Sequence, residues 1–347
     1  MTTLAAALLI TLAAAPGTPG CAGDAVVERT VHQMGTMLRL RLVGADRACG
    51  MAAAEAAIAE VARLEGVLSS WTDESELGRL NAAAPGSVVS VTPELAALLA
   101  EAGTWVGETG GAFDPAVGAL VDAWDLRGRG RRPAPAQLAA ARAASGWAAF
   151  ERCGPMQFER GPAGWWLDSG AFGKGAALRA AVRVLGDLGV ERAILDFGGQ
   201  LAVLGSESVA VAHPARRDEE VARVRVRQGS VATTSASERF VDVDGTRLGH
   251  VLDPRSGRPV AAWGSVTVVA SDAFVADALS TALFVMGADG ALAWAAGRDD
   301  VAVLVLERVS DRLVARWNAA MQPLLSMTGA AEAGRGHETD KEVENAR

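Results

Sequence analysis

Tyrosine is absent from this chain of 347 residues, histidine occurs four times and cysteine three times. With so few imidazoles and thiolates, and no CxxC pair, neither a zinc site nor a disulfide framework is expected. Positive charge is in deficit as well. The 33 lysines and arginines face 41 acidic residues, and the net charge of -8 removes the footprint of a non-specific nucleic-acid binder. Two nucleotide signatures are missing. A Walker A loop needs glycine five positions before its Gly-Lys pair and Ser or Thr after it. Here Asp168 and Gly175 hold those places around Gly173-Lys174. The glycine spacing also fails the dinucleotide fingerprint.

Hydrophobic residues make up 50% of the chain and charged residues 21%, enough to fold around a real core. The length suits one large domain or two ordinary ones. The absence of tyrosine beside plentiful tryptophan, alanine, glycine and arginine reads as genome composition. The N-terminus reads as an export signal over 1–22. Leu4 to Ala15 is apolar but too short to span a bilayer. Small residues follow through Gly20-Cys21-Ala22, placing cleavage after Ala22 or before Cys21. Cys21 is also a candidate lipid-attachment site, although Thr18 and Pro19 match a lipobox poorly and no Lys or Arg precedes the apolar run. The location implied is extracytoplasmic: periplasmic, or lipid-anchored to a membrane. Beyond the signal, Cys49 and Cys153 are open to one bridge in an oxidising compartment, or to two buried free thiols.

Residues 25–43 read as a strand or hairpin, with Leu38, Leu40 and Leu42 alternating against Arg39 and Arg41. Met51 to Val67 reads as a helix. Thr92-Pro93-Glu94 starts another, an N-cap followed by proline, running to about Val106. Gly128 to Pro135 reads as a basic surface loop, and Ala136 to Ala144 as a helix. Trp165 to Leu167 reads as a strand entering the Gly-Lys turn, and Gly175 to Leu188 as the helix leaving it. Strands are expected at 193–197, 208–212, 222–227, 239–243, 265–270 and 301–306, and an apolar helix at 274–286. The pattern is α+β, with helices packed on mixed or antiparallel sheets, in one domain over 25–327. Residues 328–347 read as a disordered tail.

Asp168-Ser169-Gly170-Ala171-Phe172-Gly173-Lys174-Gly175 joins flexible backbone donors, a lysine and a helix N-terminus, which suits a phosphate-bearing ligand. Alone, the segment is equally an ordinary strand-to-helix turn. The 274–286 helix has one polar stripe, Asp277, Ser280 and Thr281, at spacings of three and four. A buried carboxylate needs a cation or strong donors. Asp277 and Thr281 can offer two oxygens to a hard cation, and magnesium takes few protein oxygens. The alternatives are a thin solvated face, or hydroxyls bonding back to the helix. His250 to Gly257 holds His, Asp and Arg in a turn, where His250 is a candidate general base. Gly110 to Pro115 offers the Phe113 ring and the Asp114 acceptor to a planar heterocycle, or is simply a C-cap and turn. Thr233 to Arg239 is a hydroxyl-rich run, open to a phosphate or sugar or an ordinary loop.

In this order the segments resemble the FAD:protein FMN transferase (ApbE) family. The matching pieces are Met34-Gly35-Thr36, Leu68 to Trp71, Asp73 to Leu77, Arg79-Leu80-Asn81, Ala112 to Pro115, the Gly-Lys turn, Asp196 to Gly199, Thr234-Ser235, His250 to Gly257 and Ala276 to Ala282. The resemblance implies an ApbE-like fold and magnesium-dependent transfer of FMN from FAD to a Thr or Ser hydroxyl of a target flavoprotein, with release of AMP. It implies a membrane redox protein as the acceptor. It places magnesium on Asp277, Thr281 and the Ala171 carbonyl. It places FAD against Met34, Trp71, Ala112, Phe113, Asp114, Asp168, Lys174, Ser235 and Val251, and it makes His250 the base with Asp253 nearby. Departures from the family pattern include Trp71 where tyrosine is usual, Ser169, Ala171 and Gly173 in the turn, and Ala116 and Ser235 to Glu238. Two other readings use the same contacts: a magnesium-dependent FAD pyrophosphatase, and an FAD-binding protein without turnover.

Overall fold

The computed structural model describes residues 21–235, 240–310, 312–328 and 332–333. The chain opens with β1 (Ala22–Gln33), β2 (Thr36–Ala45), α1 (Arg47–Leu68), α2 (Glu76–Ala82), β3 (Val88–Ser90) and α3 (Pro93–Glu108). There follow α4 (Gly118–Trp124), α5 (Pro135–Ala143), β4 (Glu151–Gly154), β5 (Gln157–Glu159) and α6 (Gly173–Asp187). Then come β6 (Ala193–Phe197), β7 (Gln200–Ala212), β8 (Glu220–Ser235), β9 (Phe240–Val243), β10 (Thr246–Gly249), β11 (Leu252–Asp253) and β12 (Arg258–Pro259). The described chain ends with β13 (Gly264–Ala270), α7 (Ala273–Ala295), β14 (Val301–Val309), β15 (Arg312–Trp317), β16 (Leu325–Met327) and β17 (Glu332–Ala333).

The centre is a ten-stranded sheet in the order β1-β2-β6-β7-β8-β13-β14-β15-β17, with β16 beside β8. Every pairing in it is antiparallel except β15 with β17. The fold is therefore α+β, as the sequence pattern predicts. The period-2 reading of the first hairpin is borne out: Leu38, Leu40 and Leu42 are buried while Arg39 and Arg41 face solvent. Its turn is Met34-Gly35, at φ 45° and 73°. Both values are positive, as a two-residue hairpin turn of the primed type requires.

Helices α1 and α6 pack on the first half of the sheet. They bury Ala53, Ala57 and Val61 against Ala177, Leu178 and Ala181, with Leu38, Leu40 and Leu42 beneath. The apolar helix is longer than the sequence predicts. It continues past Met286 because α7 bends at Gly287 (φ 77°, ψ 174°) into a second helical stretch. By length and composition α7 could cross a membrane, yet most of its first stretch lies inside the main core. Fully burying a side chain such as Phe274 or Leu279 stabilises the fold by about 1.5–3 kcal/mol each.

Two expectations are corrected. Trp165 to Leu167 is not a strand. Its backbone groups bond to a side chain and to the start of α4 instead: Leu167 N to Asn81 Oδ1, Asn81 Nδ2 to Leu167 O, and Gly118 N to Trp166 O. Cys49 pairs with Cys21 and not with Cys153, at a Cα–Cα distance of 5.5 Å, and Cys153 is an exposed free thiol. Cys21 is buried and Ala22 starts β1. Within the tail, Glu332 and Ala333 pair with Val314 and Ala315. The rest of the signal (1–20), most of the tail, and Ala236 to Arg239 of the hydroxyl-rich run lie outside the described residues.

Candidate active site

The site forms where α6 and α7 touch. Helix α6 starts at Gly173, separated from the turn Ser169–Ala171 by Phe172 alone, and Asp168 caps that turn by accepting from Gly170 N at 3.0 Å. Helix α7 is started by Asp272, whose carboxylate accepts from Phe274 N and Val275 N. The two helices meet at Gly175. A Cβ there would lie 2.4 Å from Ala273 O and 2.8 Å from both Asp277 Cβ and Phe274 Cα. Only glycine permits that approach.

The approach delivers α6 donors to Asp277. Gly175 N donates to Asp277 Oδ2 at 2.8 Å, and Lys174 Nζ lies 3.6 Å from Asp277 Oδ1. The Asp277 side chain is only 7% exposed, so these two donors are what make its burial tolerable. Lys174 also reaches the Gly170 carbonyl at 3.4 Å. Lysine occupies only positions 174 and 341 of the sequence, all other basic residues being arginine. A compact ammonium therefore stands at the mouth of this turn in a chain that uses guanidinium elsewhere.

The hydroxyl stripe on α7 divides. Ser280 turns inward, bonding Asp277 O at 3.0 Å and Thr234 Oγ1 on β8 at 2.8 Å. Thr281 is partly exposed, one turn beyond Asp277. Among the described residues no group of three or more His, Cys, Asp or Glu could hold a metal ion. The groups on this stripe that could ligate a cation are oxygens: the Asp277 carboxylate, whose Oδ1 lies 3.6 Å from Lys174 Nζ, and the Thr281 hydroxyl one turn on. That set fits a hard divalent ion completed by water and phosphate, and it does not fit zinc.

A second wall carries Asp168. Its Oδ1 accepts from Ser70 Oγ and Arg127 Nη2, each at 3.2 Å. Asn81 holds the preceding residue in place, accepting from Leu167 N at 2.8 Å and donating to Leu167 O at 2.9 Å. Met34 closes the turn from the hairpin side. Its methyl would lie 3.3 Å from a Cβ on Gly173, and its backbone N donates to Glu65 Oε1 at 3.0 Å. Trp71 stands exposed beside Arg127.

In the Gly110 to Pro115 segment the side chains point into the fold. Phe113 and Ala112 are buried in the core, so no open ring face is available. Both oxygens of Asp114 are taken by backbone donors, Oδ1 by Ala116 N and Oδ2 by Trp147 N, each at 2.8 Å. Burial pushes the Asp114 carboxyl up, against the pull of those two bonds.

His250 lies between β10 and β11, partly buried, and the next residue, Val251, is buried with its carbonyl accepting from Val260 N at 2.9 Å. Asp253 accepts from Arg255 Nε at 2.9 Å and from Arg255 N at 3.1 Å. Burial alone would raise the Asp253 carboxyl, but the Arg255 donors outweigh it and hold it below the usual carboxylate range. Asp253 is thus committed to Arg255 within its own turn. Ser235 is buried at the end of β8, opposite Ser265.

Arg127 and Glu65 are the contributors that sequence reasoning missed, and Ser70 and Asn81 sit in the matching motifs without an assigned role. The signal for Arg127 was faint: it stands one position before a loop read only as basic and exposed.

The fold is α+β, and the candidate site brings a lysine and a buried carboxylate together at a helix N-terminus. The chain belongs to the ApbE family, whose model matches residues 34–305. It is 33% identical over 298 residues to the FAD:protein FMN transferase of Treponema pallidum, a match spanning 78% of this chain and 82% of that protein. The crystal structure of the flavinyl transferase ApbE of Pseudomonas stutzeri, in its apo form, matches with a TM-score of 0.76 at 26% identity, covering 87% of this chain and 97% of that one. The crystal structure of the ApbE protein of Thermotoga maritima matches with a TM-score of 0.75 at 27% identity, covering 82% and 94%.

Proposed function

We propose that this chain is a magnesium-dependent FAD:protein FMN transferase. It moves the FMN part of FAD to a Thr or Ser hydroxyl of an acceptor flavoprotein and releases AMP. The observation that carries the reading is the Lys174–Asp277–Gly175 contact, a cation and a buried carboxylate brought together at a helix N-terminus. Family membership supplies the flavin.

Asp277 and Thr281, with the Ala171 carbonyl, would hold magnesium, which supplies charge neutralisation on the pyrophosphate when bound. The chain's own residues do the rest. Lys174 offers its ammonium to the phosphate oxygens, and the start of α6 offers the positive end of its helix dipole. Asp168 and Trp71 form the wall against which the nucleotide lies. His250 takes the proton of the acceptor hydroxyl as that oxygen bonds to the FMN phosphorus. The bond from this phosphorus to the bridging oxygen breaks, and the oxygen leaves with AMP. Such a transfer needs positioning and electrostatic stabilisation more than covalent help.

Export to an extracytoplasmic compartment fits this reading. Support comes from the Cys21–Cys49 disulfide, a bond that persists in oxidising compartments. A sulfur held in that bond is not free to carry a lipid. An acceptor on a membrane redox protein is consistent with such a location.

The test is to incubate the purified chain with FAD and magnesium, with and without a threonine-bearing acceptor domain. AMP release and acceptor mass are followed together. AMP with a flavin-sized mass gain on the acceptor is expected. AMP with free FMN, and no adduct on any acceptor tried, would replace the reading with a pyrophosphatase. Intact bound FAD would replace it with a flavin carrier.

A further inference from the structure

One arginine stands where three parts of the second wall meet. Arg127 Nη1 donates to Ser70 O at 2.6 Å, and Nη2 donates to Ser70 Oγ at 2.7 Å and to Asp168 Oδ1 at 3.2 Å. Its guanidinium carbon lies 4.2 Å from the ring centroid of Trp71 and 4.3 Å from that of Trp166. The cation is therefore flanked by two indoles. Trp166 is fixed from behind, its Nε1 donating to Asp122 Oδ2 at 2.8 Å. Trp71 is the open end of the stack and is 70% exposed.

An exposed indole would ordinarily sample several rotamers. Here one face rests on a guanidinium that is itself held by three hydrogen bonds, and the rest of the ring is open to solvent. A ring fixed in this way is a stacking platform for a planar heterocycle, ordered before the ligand arrives. Lysine could not replace the arginine. It has no plane to lie against indole and no fork to reach Ser70 and Asp168 together.

We infer that Arg127 is a positioning residue for the dinucleotide. It presets the Trp71 indole as the platform for one planar ring of FAD and holds the Asp168 carboxylate beside it. This rests on the transferase reading of the same site. Arg127 acts through Trp71 and Asp168, so its loss weakens capture of FAD more than it slows the transfer step. Stacking on a fixed aromatic ring is worth about 5- to 150-fold in affinity, so a platform left unfixed forfeits about tenfold.

FAD is titrated with chelator present, so that nothing turns over, into the wild type, Arg127→Lys, Arg127→Ala, Trp71→Ala and the double variant Arg127→Ala/Trp71→Ala. Flavin fluorescence reports binding, and thermal melts confirm that each chain is folded. Both Arg127 variants should bind about tenfold more weakly, lysine giving no rescue. In turnover, kcat/KM for FAD should fall by a similar factor and kcat by less. In the Trp71→Ala background, Arg127→Ala should cost less than it does in the wild type, because the platform is already gone. Wild-type affinity in Arg127→Lys, or costs at Arg127 and Trp71 that simply multiply, would overturn the role of Arg127 alone. A wild-type chain that does not bind FAD would overturn the transferase reading and this inference with it.

Discussion

Gly175 N donates to Asp277 Oδ2 at 2.8 Å, and the contact exists because Gly175 has no side chain. A methyl group there would meet Ala273 O at 2.4 Å and Phe274 Cα at 2.8 Å. Both are backbone atoms of α7 and cannot swing aside. Gly175→Ala should therefore push the two helices apart, costing about 1–3 kcal/mol as overpacking does. Denaturant melts check the cost, and AMP release should fall with it. A melt unchanged from wild type would show that the helices do not meet this closely.

Asp277→Asn separates charge from shape. The amide oxygen can still accept from Gly175 N, so the fold should be kept. The negative charge facing Lys174 is lost. Magnesium-dependent turnover should fall by about 10²–10³-fold, the scale of removing one electrostatic contributor to a transition state. Steady-state rates across a magnesium titration read this directly. Full turnover in the variant would remove Asp277 from the metal site.

Much of this was legible in the sequence, for identifiable reasons. The Leu38-Leu40-Leu42 alternation and the Thr92-Pro93 start are local patterns, and local patterns survive folding. Asp277 with Lys174 was legible as two separate oddities, a carboxylate in an apolar helix and a lysine in a glycine-rich turn. Their 3.6 Å separation was not, because it depends on a helix crossing. The surroundings of the Phe113 and Asp114 side chains were hidden for the same reason. An aromatic and an acid beside two glycines resemble a ligand clamp, yet the ring belongs to the core and the carboxylate to Ala116 N and Trp147 N. Trp165 to Leu167 has strand composition, but the Leu167 backbone bonds Asn81 and the Trp166 carbonyl bonds Gly118, both far away in sequence.

Asn81→Ala tests that long-range tie. The Leu167 N–H and C=O would each lose a partner in a buried setting, at about 1–3 kcal/mol for each group left unsatisfied. Asp168 follows Leu167 directly and would lose one of the ties that position it, keeping those to Ser70, Arg127 and Pro115. KM for FAD should rise even at temperatures where the variant is fully folded. A stability loss with unchanged KM would confine Asn81 to the scaffold.

The Asp253–Arg255 pair predicts a pH dependence of stability. The folded Asp253 carboxyl is held below its usual range, chiefly by Arg255 against the pull of burial. A depressed carboxyl stabilises the fold above its unfolded pKa, about 3.9, and loses that contribution as pH falls through the lower folded value. Arg255 is 52% exposed on its side chain, which limits the pair to about 1 kcal/mol at most. Arg255→Ala should thus be slightly less stable than wild type near neutrality. The gap should close below about pH 4. A gap that widens in acid would contradict the sign.

The Cys21–Cys49 bridge closes a loop with a sequence separation of 28 and ties the start of β1 to the first turn of α1. In the chain-entropy account, a loop of that length stabilises the fold by about 3–4 kcal/mol. Reduction, or Cys49→Ser, should lower the melting temperature accordingly. Thiol alkylation gives an independent reading. The folded, oxidised chain should take one label, on the exposed Cys153, and the reduced, unfolded chain one on every cysteine it retains. The bridge joins the start of β1 to the start of α1, whereas Met34 and Glu65 meet near the far ends of those two elements. Reduction should therefore cost more in stability than in kcat. An equal loss in both would mean that the hairpin turn over Gly173 depends on the disulfide for its position.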